Sequence, residues 1–279
     1  MTPVDILQNA ELRPAIRQQA EAFLGIHAHA PLLASVFATQ QRYMMGQIFL
    51  SLTYKSSDGR VLLAEFLRKV EQFRIASPNT AEAFVREMVR EGIGIPAPER
   101  KDRRSRPLMV AEAAHVMMRR WMAIHLHTLD RLDGGARAAT LSTQPDLLPI
   151  LQPRVVDGIL QSDVCIRPSG TFALFSWLND GGLLMDRLIA GLTDTRERAS
   201  QVATALSSYT QLRTGLAISR SHLTRKLHAA EAAGSLGWTG ARGRSTLWVS
   251  RGFIAEYDAY QAEKLAIVAN SFAATGTGI

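Results

Sequence analysis

The feature that most constrains this chain is an internal repeat without gaps. Ser77–Gly92 (SPNTAEAFVREMVREG) aligns with Ser219–Gly234 (SRSHLTRKLHAAEAAG). Each segment opens on a serine suited to cap a helix N-terminus and closes on a glycine suited to stop it. The apolar positions coincide: Ala81, Val85 and Met88 in the first copy, Leu223, Leu227 and Ala230 in the second. Spacings of four and three place each trio on one helical face. Polar and basic groups occupy the opposite face, as a helix lying in a DNA groove requires. The repeat therefore predicts a DNA-binding helix-turn-helix present twice.

The repeat continues on both sides. Met44–Thr53 resembles Leu184–Thr193, and Leu108-Met-Val110 matches Leu247-Trp-Val249. Small changes in offset fall between these blocks, where loops tolerate insertions. Each copy parses in the same order. An apolar helix (about 30–54 and 172–192) leads to a second helix (about 60–73 and 195–210), a turn and the capped helix. Two short extended pieces follow around a basic loop: Ile93–Ala97 with Pro107–Ala111, and Ser235–Thr239 with Thr246–Ser250. A long helix closes each copy, about 111–132 and 251–271.

The fold class expected is mostly α with small β-hairpin wings, two winged helix-turn-helix domains in tandem forming a pseudo-dimer. The corresponding boundaries are an N-terminal helical extension over 1–29, a first domain over 30–132 and a turn-rich linker over 133–148. A second domain covers 149–272, and a fraying tail covers 273–279.

The order of helix, helix, capped helix, basic wing and long helix resembles the MarR-type winged-helix regulators. Ile218-Ser-Arg-Ser-His-Leu-Thr-Arg-Lys-Leu227 carries the resemblance most strongly. It covers about 40–132 and 172–271, with Glu82 and Ala83 standing in the first copy where the second has Thr224 and Arg225. Members of that family are usually homodimers with one winged helix per chain. Two copies in one chain imply either a monomeric pseudo-dimer or a homodimer of such chains.

A net charge of +7 favours a polyanionic partner, and double-stranded DNA is the one expected. On the second capped helix the expected contacts are Ser219, Arg220, Ser221, Thr224, Arg225 and His228. Arginine can grip a guanine edge through two hydrogen bonds, and serine or threonine can serve bases or phosphates. On the first helix they are Asn79, Thr80 and Arg86, with Glu82 repelling phosphate. The wings reverse this bias. Arg100, Lys101, Arg103, Arg104 and Arg106 crowd the first, while Arg242 and Arg244 serve the second, each suited to backbone or minor groove. The expected division has copy two reading bases and copy one anchoring through its wing. Recognition helices on one DNA face would meet successive major grooves about 10 base pairs apart, at unlike half-sites.

Met118, Trp121, Met122, His125, Leu129 and Leu132 recur at helical spacing, as do Phe253, Tyr257, Leu265 and Val268. They read as the packing between copies. A small-molecule effector lodged among these methionines and aromatics is the sharper alternative. Neither a metal nor a cofactor is expected. His27 with His29 and His125 with His127 are two apart and diverge on a helix, and no phosphate loop, nucleophile elbow or paired-cysteine motif occurs. The chain is thus expected not to be an enzyme. Cys165 is the sole cysteine, which suits a reducing cytoplasm, and beside Arg167 it has the makings of a redox thiol. Charges interrupt both apolar stretches, so no membrane contact is expected. The function expected is a sequence-specific transcriptional regulator. The alternatives are a tandem winged-helix replication initiator and a winged-helix protein-interaction adaptor.

Overall fold

The computed structural model describes residues 1–29, 36–97, 107–193 and 200–276. They form a mostly helical chain with two small antiparallel sheets. Two compact units emerge. One comprises Met1–Pro31 with Asp163–Ala266, the other Leu32–Ser162 with Ile267–Ile279.

The first unit begins with helices α1 (Pro3–Leu7) and α2 (Leu12–His29). The sequence treats these as an extension, yet Ala15, Ile16 and Ala20 of α2 are buried, and α2 packs along a later helix of this unit, Gly181–Ala190. Two further contacts tie α2 to the unit. Arg13 and Asp258 form an ion pair, and buried Gln19 donates to Gln261 at 3.0 Å.

The second unit holds α3 (Gln40–Lys55), α4 (Leu63–Gln72) and α5 (Pro78–Arg90), the last capped by Ser77, whose side chain accepts from the Thr80 amide. Gly92 beyond it has φ +70°, the left-handed stop that a side chain would resist. Strands β1 (Gly94–Pro96) and β2 (Leu108–Val110) pair antiparallel with Ile95 opposite Met109. Both lie within the extended pieces expected. The long helix α6 (Glu112–Asp133) follows, with Met118, Met122, His125, Leu129 and Leu132 buried.

Residues 133–148 are not a loose linker. They contain α7 (Arg137–Thr143) and lead into α8 (Leu147–Gln161). Asp130 accepts from the amides of Arg137 and Ala138, both at 2.9 Å, and so fixes the start of α7. Helix α8 packs on α3, where buried Gln152 donates to the Gln47 carbonyl at 3.1 Å. Residues 149–162 therefore belong with the first copy.

Back in the first unit come α9 (Asp163–Ile166), α10 (Gly170–Ser176) and α11 (Gly181–Ala190). The single helix expected over 172–192 is broken at Asp180, whose φ is +52°. The helix expected over 195–210 is replaced by strand β3 (Gln201–Ala203) and short α12 (Tyr209–Arg213), while 194–199 lie outside the described residues. Val202 and Thr204 are buried and Gln201 and Ala205 exposed, the period of a strand rather than a helix. Helix α13 (Arg220–Ala232) then precedes β4 (Leu236–Trp238) and β5 (Leu247–Ser250), and β5 lies between β3 and β4. Helix α14 (Arg251–Ala273) closes the fold, with Phe253, Tyr257, Leu265 and Val268 in its core. Among the described residues no helix is long and apolar enough to cross a membrane.

Candidate nucleic-acid interface

Helix α13 is built from its ends inward. Ser219 sits in extended conformation and its hydroxyl oxygen accepts from the His222 amide at 3.2 Å. Gly234, with φ +68°, ends the helix in the left-handed region. Leu223, Leu227 and Ala230 are fully buried, which fixes the rotation of the helix on the unit. What remains outward is determined by that anchoring. Arg220, Ser221, Arg225 and His228 are exposed and Thr224 is half-buried. These five residues share one open, shallow face of the helix. The free amides of the helix N-terminus lie at its Arg220 end and add partial positive charge there.

Ser219 is the exception among the expected contacts on this helix. Its hydroxyl serves the cap and lies 3.3 Å from that of Ser221, and Ser219 is not part of the open face.

Charge separates the two copies more sharply than their alignment suggests. Arg220, Arg225 and Lys226 have no ion-pair partner among the described residues, and Arg225 faces directly away from the buried trio. On α5 the arginines align instead with His228 and Ala232, and they are paired. Arg86 pairs with Glu82 at 3.5 Å, and Arg90 with Glu91 at 2.9 Å and Glu87 at 3.9 Å. Arg42 of α3 contacts Glu87 as well. Asn79 and Thr80 are exposed, but the Thr80 hydroxyl is spent on Ser77 at 2.9 Å. Ala83 occupies the position of Arg225.

Comparison with family models, with curated proteins and with solved structures finds no match to this chain. The site must be understood from its own residues.

Lys226 was not among the residues expected at this surface. It is half-buried and turned about a quarter of the helix away from Arg225, with no ion-pair partner among the described residues. The second hairpin tip is also more ordered than a charged loop. Thr239 donates to Thr246 across it at 3.0 Å, and Gly240 donates to the Ser245 hydroxyl at 3.0 Å. Gly243 lies against Tyr209, where an added Cβ would come within 2.4 Å of the ring, and Tyr209 in turn meets Trp238 at 5.5 Å between centroids. Arg242 is exposed, but its Nε pairs with Glu231 of α13 at 3.0 Å. Arg244 remains exposed. The first basic loop, with Arg100, Lys101, Arg103, Arg104 and Arg106, lies outside the described residues.

Three of the four histidines noted in the sequence are tied to backbone carbonyls: His27 to Gly215, His29 to Gly25 and His125 to Trp121. Among the described residues no group of three or more His, Cys, Asp or Glu side chains is placed to hold a metal. Cys165 belongs to α9 and is fully buried, which denies an oxidant the access that a sensing thiol needs.

Proposed function

We propose that this chain is a sequence-specific, double-stranded-DNA-binding transcriptional regulator built from two winged helix-turn-helix modules, similar to MarR-type regulators. The observation that carries the reading is the open face of α13 formed by Arg220, Ser221, Thr224, Arg225 and His228. Its arginines have no carboxylate partner among the described residues, so they are free to donate to bases and phosphates. In this reading Arg225 and Arg220 bind base edges in the major groove, and Ser221 and Thr224 fix register on the backbone. Lys226 and Arg244 meet phosphates. The helix α5 contributes little charge, and the first wing supplies the anchoring of its copy.

Fluorescence anisotropy with a labelled random-sequence duplex, repeated over a salt series, tests the DNA class itself. Binding that weakens steeply with salt supports the reading, because displaced counterions govern affinity for a polyanion. Binding that is absent at low salt sinks it and favours the adaptor alternative.

A further inference from the structure

The turn that delivers α13 is held by side chains from elsewhere in the same unit. Arg187 donates to the carbonyls of Gln211 and Leu212, at 3.1 Å and 2.9 Å, and so closes the end of α12. Arg213 donates to the Ile218 carbonyl at 2.9 Å. The middle of the turn depends on two other residues. The Ala217 amide donates to Asp180 Oδ2 at 2.6 Å, and His27 Nε2 lies 2.9 Å from the Gly215 carbonyl oxygen. A carbonyl only accepts, so the proton on His27 sits at Nε2. Among the described residues no backbone hydrogen bond reaches the Ala217 amide or the Gly215 carbonyl.

His27 and Asp180 are 6% and 2% exposed, so neither can touch a macromolecule at the surface. Asp180 also keeps its left-handed φ of +52°, a conformation that resists a side chain and persists only where surrounding contacts hold it. The two groups stand 3.9 Å apart, His27 Nε2 to Asp180 Oδ2, and the other ring nitrogen of His27 is buried with no hydrogen-bond partner among the described residues. Asp180 begins α11 and His27 lies in the last turn of α2, so one clamp ties both helices to the turn before Ser219.

We infer that His27 and Asp180 are positioning residues for base reading: they set the angle at which Ser219–Gly234 is presented. This rests on the DNA reading above. The N-terminal helix α2 thereby takes part in sequence discrimination while remaining inside the fold. Loosening the clamp lets α13 rock, which blunts hydrogen bonds that require alignment with base edges. Contacts between arginine or lysine and phosphate tolerate such rocking better.

The test uses two pairs of variants. Asp180→Gly removes the acceptor while suiting the positive φ, and Asp180→Asn keeps an oxygen that can accept. His27→Leu removes the donor, and His27→Gln returns an amide donor at similar reach. Two quantities are measured in the full chain. One is amide hydrogen exchange over residues 214–219, and the other is the affinity ratio between a selected duplex and its scrambled counterpart. Asp180→Gly and His27→Leu should each raise exchange over the turn and cut the ratio by about tenfold, the equivalent of one buried hydrogen bond lost. Affinity for scrambled DNA should stay within about twofold, because phosphate contacts persist. The Asn and Gln variants should restore both readouts. Unchanged discrimination in the Gly and Leu variants would overturn the inference. Exchange rising throughout the unit, with scrambled and selected DNA lost together, would overturn it too, since the residues would then only support folding. If the wild-type chain prefers no duplex, the DNA reading fails instead. The exchange arm then decides the clamp alone, and protected turn amides in Asp180→Gly would refute it.

Discussion

Arg242 at the second hairpin tip pairs with Glu231 of α13, Nε to Oε2 at 3.0 Å. The hairpin is thereby tied to the helix it follows, and the charge of its first arginine is partly offset there. Arg244, two residues on, is exposed and backed by a structured turn. Replacing Arg244 with alanine should lower affinity for any duplex and reduce the salt slope by about one unit, as one lost phosphate contact does. Arg242→Ala should change affinity less. Glu231→Gln should raise non-specific affinity a few-fold by releasing the guanidinium, measurable in the same titrations.

Arg225 and Arg86 make a second contrast. Arg225→Ala should relax sequence preference by about tenfold or more, in the range of one lost bidentate base contact. Arg86→Ala should change preference by less than about twofold, because Glu82 already occupies that guanidinium at 3.5 Å. Selection profiles of the two variants, compared with wild type, check this directly. Equal losses would contradict the division of labour between the copies.

The N-cap offers a stability test at the site. Ser219→Ala removes the acceptor for the His222 amide, and should destabilise its unit by about 1 kcal/mol in urea unfolding. The same change at Ser77 should have a similar cost, since it caps α5 through the Thr80 amide.

The same unit holds a buried polar cluster with its own pH signature. Tyr257 donates to Asp186, and Lys264 lies over the rings of Tyr260 and Phe23, at 5.4 Å and 5.8 Å from their centroids. Burial raises Asp186 from 3.8 to about 6 and lowers Lys264 from 10.5 to about 8. For Asp186 the folded state prefers the protonated form, so its stabilising contribution is full below the ordinary carboxylate range and is lost as pH rises through about 6. For Lys264 the contribution is present at high pH and lost as pH falls through about 8. At neutral pH both charges are held at a cost. Lys264→Met alone should strand the Asp186 charge and destabilise by about 3 kcal/mol, while Asp186→Leu with Lys264→Met should be neutral or stabilising. Urea unfolding between pH 5 and 9 checks both, and a flat profile in wild type would refute the cluster's role.

The sequence made the local features legible: the two serine caps, the apolar trios, the glycine stops and the pieces that became β1, β2, β4 and β5. Each depends on neighbours within a few residues. The errors have non-local causes. Strand β3 pairs with β5, whose residues lie more than forty positions later, so the stretch before Tyr209 carried no local sign of its partner. The break at Asp180 is held by a contact to Ala217, and α7 is ordered by Asp130 from the preceding helix. Position in the chain groups 1–29 apart and 149–162 with the second copy, whereas packing joins the first to 163–266 and the second to α3. At the site, the face of α13 was readable from helical periodicity. The pairing of Arg86 with Glu82 and of Arg242 with Glu231, and the contact of His27 with Gly215, required the fold.

The most direct test of the central claim is selection from a random duplex library at near-physiological salt, run in parallel with wild type and Arg225→Ala. The account predicts enrichment of a motif with two unlike blocks, in which one block contains guanine and loses its information in the variant. No enrichment in wild type, or a motif that Arg225→Ala leaves intact, would contradict base reading by α13.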